Sequence, residues 1–171
     1  MNVLGLAGWS GAGKTTLLTA LLPLLTAQGL RVSTIKHTHH GVDLDKPGKD
    51  SFRHREAGAH EVMVASAARW ALLHEHDGPE PSLDDLLARM TPVDLVLVEG
   101  FKSSPIPKLE VYRAALGKPP LWPGRSDILA VASDAPLPDC DRTVLALPDP
   151  AAVAAWLLGV LPNVRVAKPA A

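Results

Sequence analysis

The sequence predicts an α/β fold in which helices cover a mostly parallel central sheet, giving three layers. Apolar segments of strand length alternate with segments of helix length along the 171 residues. The segment 93–98 is nearly all apolar, which is typical of a strand buried on both faces of a parallel sheet. Because no linker or internal duplication is visible, we expect one domain over residues 1–171, with a loose tail at 162–171.

The strands are predicted from short apolar or alternating runs. A run at 3–7 enters a glycine-rich loop, and the other strands are expected at 31–35, 93–98, 108–113, 127–132 and 143–147. Two further runs, 61–66 and 69–73, predict a hairpin. Residues 37–49 hold glycine, proline and polar side chains, which indicates a loop.

The first helix is predicted over 14–28, where leucines form a broad apolar face and Gly29 follows as a stop. Pro23 lies inside this segment, and because an internal proline costs about 3 kcal/mol, we expect a kink or an early end there. Three shorter helices are predicted by their cap residues, namely Asp50-Ser51 before 52–58, Ser82 before 83–90, and Asp149 before Pro150.

The composition argues against several classes of protein. The 17 basic and 18 acidic side chains give a formal charge of −1, which disfavours a nucleic-acid binder. The longest apolar run, 151–161, is much shorter than the roughly 20 residues of a membrane span. The first residues lack the basic segment of a signal peptide, and the single Cys140 cannot form an internal disulfide. We therefore expect a cytoplasmic protein with neither nucleic acid nor membrane as a partner.

A phosphate-binding motif follows the first predicted strand. Gly8, Gly13, Lys14 and Thr15 have the spacing of a P-loop, or Walker A motif, with a strand before it and a helix after it. The glycines let successive N–H groups converge on phosphate oxygens, and the helix directs its positive end there. We expect Lys14 to meet the β and γ phosphates and Thr15 to ligate Mg²⁺. The alternative is a glycine-rich turn that only joins strand to helix.

A magnesium ion bound to phosphate usually has a second, acidic contact at the end of a neighbouring buried strand. Glu99 stands at the carboxyl end of 93–98. Asp94 lies at the other end, about 16 Å away at ~3.3 Å per residue. We therefore choose Glu99, the alternative being a carboxylate that only caps the turn before Gly100.

Five stretches of the chain carry more specific patterns, namely 8–16 (GWSGAGKTT), 35–40 (IKHTHH), 49–59 (KDSFRHREAGA), 98–102 (VEGFK) and 108–113 (KLEVYR). Together they resemble the molybdopterin-guanine dinucleotide biosynthesis protein B (MobB) family, from residue 1 to about residue 160. The P-loop is generic, whereas the Lys-His-x-His-His and Glu-Gly-Phe-Lys stretches are much more specific.

The resemblance implies the fold of a P-loop NTPase, GTP binding with slow GTP hydrolysis, and a homodimer. It also implies an accessory role, in which the chain assists the molybdenum cofactor guanylyltransferase, protein A of the pathway. That partner attaches GMP to molybdopterin.

Matched residue by residue, the resemblance assigns the phosphate site to Gly8, Trp9, Ser10, Gly11, Ala12, Gly13, Lys14, Thr15 and Thr16. It implies that Thr15 and Glu99 hold Mg²⁺, and that Lys14, Asp50 and Glu99 take the catalytic roles, with Asp50 orienting water or holding magnesium through water. Lys36 is expected to meet phosphate or an acidic ligand. No Asn-Lys-x-Asp guanine motif is present, so Asp134 is our candidate for pairing with the guanine N–H groups.

Two other functions stay open at this point. His37, His39 and His40 could bind nickel or zinc, as in a metal-delivery chaperone GTPase, or could contact phosphate or the pterin, or form an inert loop. An ATP-dependent small-molecule kinase is a further alternative, although no arginine-rich lid is visible. Arg53 is the nearest candidate for an arginine finger.

Several other side chains have more than one interpretation. Trp9 could pack over the nucleotide, fill a dimer contact or pack in an ordinary way. Lys102 and Lys108 flank a proline-containing loop and could offer charge to a phosphorylated pterin or solvate the loop. His74 and His76 are expected on one strand face, most simply as surface residues. Core or interface positions are expected for Trp70, Trp122 and Trp156.

Overall fold

The structure is a computed structural model that describes residues 1–38 and 44–161. The chain divides into two compact units, Met1–His37 with Leu87–Ala171, and Thr38–Leu86. The expectation of one domain over residues 1–171 stays a prediction, and the expected tail at 162–171 lies outside the described residues. Within the described ranges, no helix is both long and apolar enough to cross a membrane.

All the predicted strands are present, with ends that shift by one or two residues. They are β1 (Asn2–Ala7), β2 (Val32–Lys36), β3 (Glu61–Ala65), β4 (Trp70–His74), β5 (Leu95–Glu99), β6 (Lys108–Tyr112), β7 (Ile128–Ser133) and β8 (Thr143–Ala146). The α-helices of the described ranges are α1 (Lys14–Ala27), α2 (Asp50–Glu56), α3 (Leu83–Arg89) and α4 (Pro150–Val160).

The first unit contains a six-stranded sheet in the order β2-β5-β1-β6-β7-β8, and every neighbouring pair in it is parallel. The prediction of an α/β fold with a mostly parallel central sheet is therefore confirmed. Because the strands are parallel, their carboxyl ends all meet at one edge of the sheet. Residues that follow β1, β5, β6 and β7 are thereby brought to that edge.

The core of this unit is formed by sheet residues and by the two longer helices. Leu21 and Leu25 of α1 and Leu157 of α4 are fully buried in one apolar cluster, together with Leu97 and Leu109 of the sheet. This burial fixes α1 against the sheet, and with it the loop that joins β1 to α1. A smaller apolar cluster is built on Trp122, Ile128 and Val131.

Helix α1 does not end at Pro23, so of the two outcomes expected there the early end was wrong, and the kink stays a prediction. The helix continues to Ala27, and Leu21 and Leu25 are fully buried on either side of the proline. Burying two leucines contributes about 3–6 kcal/mol, which offsets the roughly 3 kcal/mol that an internal proline costs.

The caps of the shorter helices were predicted with mixed success. Lys49, with an extended backbone, is the N-cap of α2, so Asp50 and Ser51 lie in the first turn instead of capping it. Ser51 Oγ donates a hydrogen bond to Asp45 Oδ1 (2.6 Å), which draws the side chain away from the cap position. For α3 the expected cap is present, because Ser82 Oγ accepts from the Asp85 N–H and Asp85 Oδ2 accepts from the Ser82 N–H.

The second unit contains an antiparallel ribbon of β3 and β4. The register pairs Met63 with Leu72 and Ala65 with Trp70, which places these four side chains on one face of the ribbon. Met63, Trp70 and Leu72 are 61%, 66% and 43% exposed. A core position for Trp70 is thereby excluded, whereas Trp122 is buried as expected.

Candidate nucleotide site

The loop of residues 8–13 leaves β1 and enters α1 at the carboxyl edge of the sheet. Gly8 has a φ of +135°, and a Cβ at this position would lie 2.4 Å from the carbonyl oxygen of Val111 on β6. Only glycine therefore lets the loop pass this close to the neighbouring strand. Gly13 is the N-cap of α1 and no side chain caps the helix, so its first N–H groups are directed at the space above the loop.

Lys14, the first residue of α1, folds back over this loop. Its Nζ donates hydrogen bonds to the carbonyl oxygens of Gly8 and Trp9, both at 2.9 Å. Burial lowers the pKa of the Lys14 ammonium, an effect that nearby Glu99 opposes and that Lys102 and Lys36 reinforce. These bonds fix the ammonium over the P-loop.

Thr15 and Glu99 meet at the start of α1. Thr15 Oγ1 lies 3.1 and 3.0 Å from the two carboxylate oxygens of Glu99. Lys36, at the end of β2, reaches Glu99 Oε1 at 3.5 Å. Asp94, the competing acid, lies at the opposite end of the sheet, where it pairs with Arg31. A hydroxyl and a carboxylate are hard oxygen ligands of the type that Mg²⁺ prefers, so the residues present fit this ion.

On the far side of the loop, Arg113 joins the loop to the end of β7. Its Nε donates to the carbonyl oxygen of Ala12 (3.1 Å) and its Nη1 donates to Asp134 Oδ2 (3.2 Å). Arg113 and Asp134 line a cavity of about 300 Å³ beside Gly13 and the first two turns of α1. Asp134, which the sequence analysis names as the candidate for guanine recognition, therefore lines the same cavity as Gly13 of the P-loop.

Trp9 is held at the outer side of the same loop. Its Nε1 donates to the carbonyl oxygen of Pro119 (2.7 Å). The ammonium groups of Lys102 and Lys118 lie 5.7 and 5.9 Å from the centre of the indole, within the range of cation–π attraction. Lys102 also places positive charge near Lys14, whereas its role toward a phosphorylated pterin stays a prediction.

Lys108 does not offer its charge to a ligand, so that interpretation was wrong. The residue is 1% exposed, and its Nζ pairs with Asp127 (2.6 Å) while donating to the carbonyl oxygens of Ser104 and Ile106. Arg125 also binds Asp127 and donates to the carbonyl oxygen of Lys102. Lys108 and Arg125 thereby hold in place the loop between β5 and β6, which carries Lys102.

Glu110 is a second buried charge on β6 that the sequence reading missed. It is fully buried, and its Oε1 accepts a hydrogen bond from the Leu121 N–H (2.8 Å). Burial raises the pKa of this carboxyl group, and hydrogen bonds from the Leu121 and Trp122 N–H groups lower it in part. β6 therefore carries Lys108 and Glu110, and Arg113 follows it directly; all three side chains bind backbone groups of neighbouring loops.

His37 is hydrogen-bonded to the backbone of Glu99, the residue whose carboxylate contacts Thr15. Its N–H donates to the carbonyl oxygen of Glu99 (2.8 Å), and its ring packs on Phe101 with centroids 4.6 Å apart. Gly100 has a φ of +104°, and a Cβ there would lie 2.6 Å from the His37 Cβ. His39 and His40 lie outside the described residues.

Two residues expected at the site, Asp50 and Arg53, are on α2. Asp50 and Arg53 belong to the second unit, where they face each other at 4.0 Å on α2 and are exposed. His74 is at the end of β4 and pairs with Glu61 (2.7 Å). Over residues 1–38 and 44–161, no group of three or more His, Cys, Asp or Glu side chains is arranged to hold a metal ion.

A parallel sheet of this strand order, with a glycine loop between β1 and α1, defines the P-loop NTPase class of α/β proteins. The sequence model of the family Molybdopterin guanine dinucleotide synthesis protein B, MobB, matches residues 3–134. The chain belongs to this family.

Individual relatives agree with this assignment. The chain is 49% identical over 146 residues to the molybdopterin-guanine dinucleotide biosynthesis adapter protein of Haemophilus influenzae, covering 84% of this chain and 80% of the relative. It is 50% identical over 139 residues to the protein of the same description from Escherichia coli, covering 79% of each. A crystal structure of a MobB homolog from Bacillus stearothermophilus matches with a TM-score of 0.69 and 28% identity, over 95% of this chain and 99% of that one.

Proposed function

We propose that this protein is a GTP-binding accessory factor of molybdopterin-guanine dinucleotide biosynthesis, with slow GTP hydrolysis. It would assist the guanylyltransferase that attaches GMP to molybdopterin. The observation that carries the proposal is the Thr15–Glu99 contact beside Lys14, in a chain whose relatives are described as adapter proteins of this biosynthesis.

The phosphates of the nucleotide would be bound by the N–H groups of residues 8–13, by the start of α1 and by Lys14. Lys14 would exchange its bonds to the Gly8 and Trp9 carbonyl oxygens for bonds to phosphate oxygens. Thr15 and Glu99 would hold Mg²⁺, which neutralises charge on the phosphates when it is bound.

Slow hydrolysis is expected from the roles proposed for three further residues, Lys36, Asp50 and Arg53. Lys36 now pairs with Glu99, and it would turn to a phosphate oxygen once magnesium takes that carboxylate. Asp50 would orient the attacking water, and Arg53 would be the candidate for stabilising the charge that develops during the reaction. Both residues lie on α2.

The other parts of the proposal concern partners and location. The exposed apolar face of Met63, Trp70 and Leu72 supports a homodimer, because an apolar patch on a ribbon is normally covered by a partner. A cytoplasmic location and direct contact with molybdopterin and with the guanylyltransferase follow from the proposed pathway.

The test of this function is calorimetric titration of the full chain with GTP in the presence of Mg²⁺. We expect a single GTP site that is lost in Lys14→Ala. Lys46→Ala is the control and should keep this site, because Lys46 is exposed and lies outside the P-loop. Adding the wild-type chain to the guanylyltransferase should accelerate GMP transfer to molybdopterin. Absence of GTP binding would refute the proposal, and transfer of phosphate to a small-molecule acceptor would favour a kinase instead.

A further inference from the structure

Arg113 links the P-loop to the carboxylate of Asp134, which directly follows β7. Its Nε binds the Ala12 carbonyl oxygen at 3.1 Å, and its Nη1 binds Asp134 at 3.2 Å. Its Nη2 lies 3.6 Å from the point where a Cβ of Gly13 would stand. The guanidinium group therefore lies beside the loop on the β6 side of β1, whereas Glu99 ends β5 on the other side of β1.

The cavity beside this ion pair has the character of a site for a flat, mostly apolar ring. Its volume is about 300 Å³, at the small end for ligand pockets. Apart from Thr16, Arg113 and Asp134, the lining consists of Gly13, Leu17, Ala20, Leu147, Pro148 and Pro150. An aromatic ring can pack on such walls, and Arg113 and Asp134 provide the charged groups that can read its edge.

We propose that Arg113 is a specificity-determining residue that, together with Asp134, selects guanine over adenine. This rests on the proposed function, since the cavity adjoins the proposed phosphate site. Guanine presents the O6 acceptor next to the N1–H and N2–H donors, whereas adenine presents an amino donor where guanine has O6. Arginine can only donate and an ionised aspartate can only accept, so the pair matches guanine and opposes adenine.

Arg113 has donors left for this purpose. Within the described ranges, its Nη2 makes no hydrogen bond, and Asp134 uses only Oδ2 in its contact with Arg113. The remaining N–H groups would donate to guanine O6, and Asp134 Oδ1 would accept from the guanine N–H groups. By holding both Ala12 and Asp134, Arg113 also fixes the distance between the phosphate loop and the base-reading carboxylate.

The experiment is calorimetric titration of the full chain with the Mg²⁺ complexes of GTP, ITP and ATP. Inosine keeps O6 and N1–H but lacks the N2 amino group. We expect Arg113→Ala to lose at least about tenfold in affinity for GTP and ITP, with ATP affinity held within about twofold. Asp134→Asn should lower the affinity for GTP more than the affinity for ITP.

Arg142→Ala is the matched control, because Arg142 also donates from Nε to a backbone oxygen and from Nη1 to an aspartate, away from the cavity. It should leave the ratio of ATP to GTP dissociation constants unchanged. Equal weakening of all three nucleotides in Arg113→Ala would overturn the inference, because it would show only support of the P-loop. If Arg113→Ala does not fold, the contrast of GTP and ITP in Asp134→Asn decides. Failure of the wild-type chain to bind any nucleotide would instead refute the proposed function.

Discussion

Thr15 Oγ1 lies within 3.1 Å of both carboxylate oxygens of Glu99, although 84 residues separate the two in the chain. The contact exists because β5 pairs with β1 in a register that sets Glu99 opposite Leu6, just before the P-loop. The hydroxyl and the carboxylate are therefore brought together by the pairing of the two strands.

We expect the Thr15–Glu99 pair to decide the response to magnesium. Thr15→Val removes the hydroxyl ligand, and Glu99→Gln removes the charge that attracts the ion. Both variants should lose most of the gain in GTP affinity that Mg²⁺ gives the wild-type chain, and Glu99→Gln should slow hydrolysis more than it weakens binding. Titrations with and without Mg²⁺, together with phosphate-release assays, measure both quantities.

Thr15→Ser is the control for this prediction, since it keeps the hydroxyl and should keep the magnesium response. Turnover in Glu99→Gln equal to that of the wild-type chain would remove Glu99 from the metal site.

The proposed role of Asp50 can be tested by comparing its substitution with that of Asp84, an acidic residue at a similar position in another helix. Asp50 and Asp84 both lie in the first turn of a short helix and are both exposed. If Asp50 orients the attacking water, Asp50→Asn should lower GTP turnover by at least about tenfold, with the dissociation constant unchanged. Asp84→Asn should change neither. Unchanged turnover in Asp50→Asn would exclude the role.

The ion pair of Lys108 and Asp127 is predicted to be strongly coupled. Removing Asp127 leaves a buried ammonium without its partner, so Asp127→Asn should lower the free energy of unfolding by about 3 kcal/mol. Lys108→Met removes the buried charge and should cost less. In urea unfolding, the double variant should lose less free energy of unfolding than the sum of the two single losses, by more than about 1 kcal/mol. Simple additivity would mean that the pair does not interact in solution.

Glu110 should give the protein a pH-dependent loss of stability. Because burial raises its folded-state pKa above the ordinary 4.5, the folded chain keeps this proton where the unfolded chain has lost it. The contribution of Glu110 to the free energy of unfolding therefore decreases as pH rises above about 4.5. Glu110→Gln lacks the titration, so its stability relative to the wild-type chain should increase between about pH 4 and pH 7.

Thermal unfolding at several pH values measures this difference. Glu56→Gln, which replaces an exposed glutamate, should follow the wild-type pH dependence. A constant difference between Glu110→Gln and the wild-type chain across the range would show that the carboxyl group does not titrate as described.

Most of the fold could be predicted because it depends on local patterns. The apolar run 93–98 reports burial on both faces directly, and the P-loop motif fixes one strand, one loop and one helix. The approach of Glu99 to Thr15 was also predictable, since parallel strands end at a common edge.

The roles of Lys108 and Glu110 could not be read in the same way. Alternating charged and apolar residues on β6 look like a strand with one face in water, yet both charges are buried. Their burial depends on the loops that follow β5 and β6, whose paths are set by long-range contacts with Asp127 and Leu121. Arg113 was missed for the same reason, because its partners Ala12 and Asp134 are distant in the chain.

The ribbon of β3 and β4 provides the last prediction, which concerns the homodimer. Met63 and Trp70 are more than half exposed on one face of the ribbon, and their contact with a second copy would remove this apolar area from water. Met63→Ser with Trp70→Ser should therefore shift the protein to monomers in sedimentation velocity runs over a range of concentrations. Val144→Ser is the control, because Val144 is 40% exposed and lies on β8 in the first unit. A dimer of unchanged strength in the double variant would exclude this face as the interface.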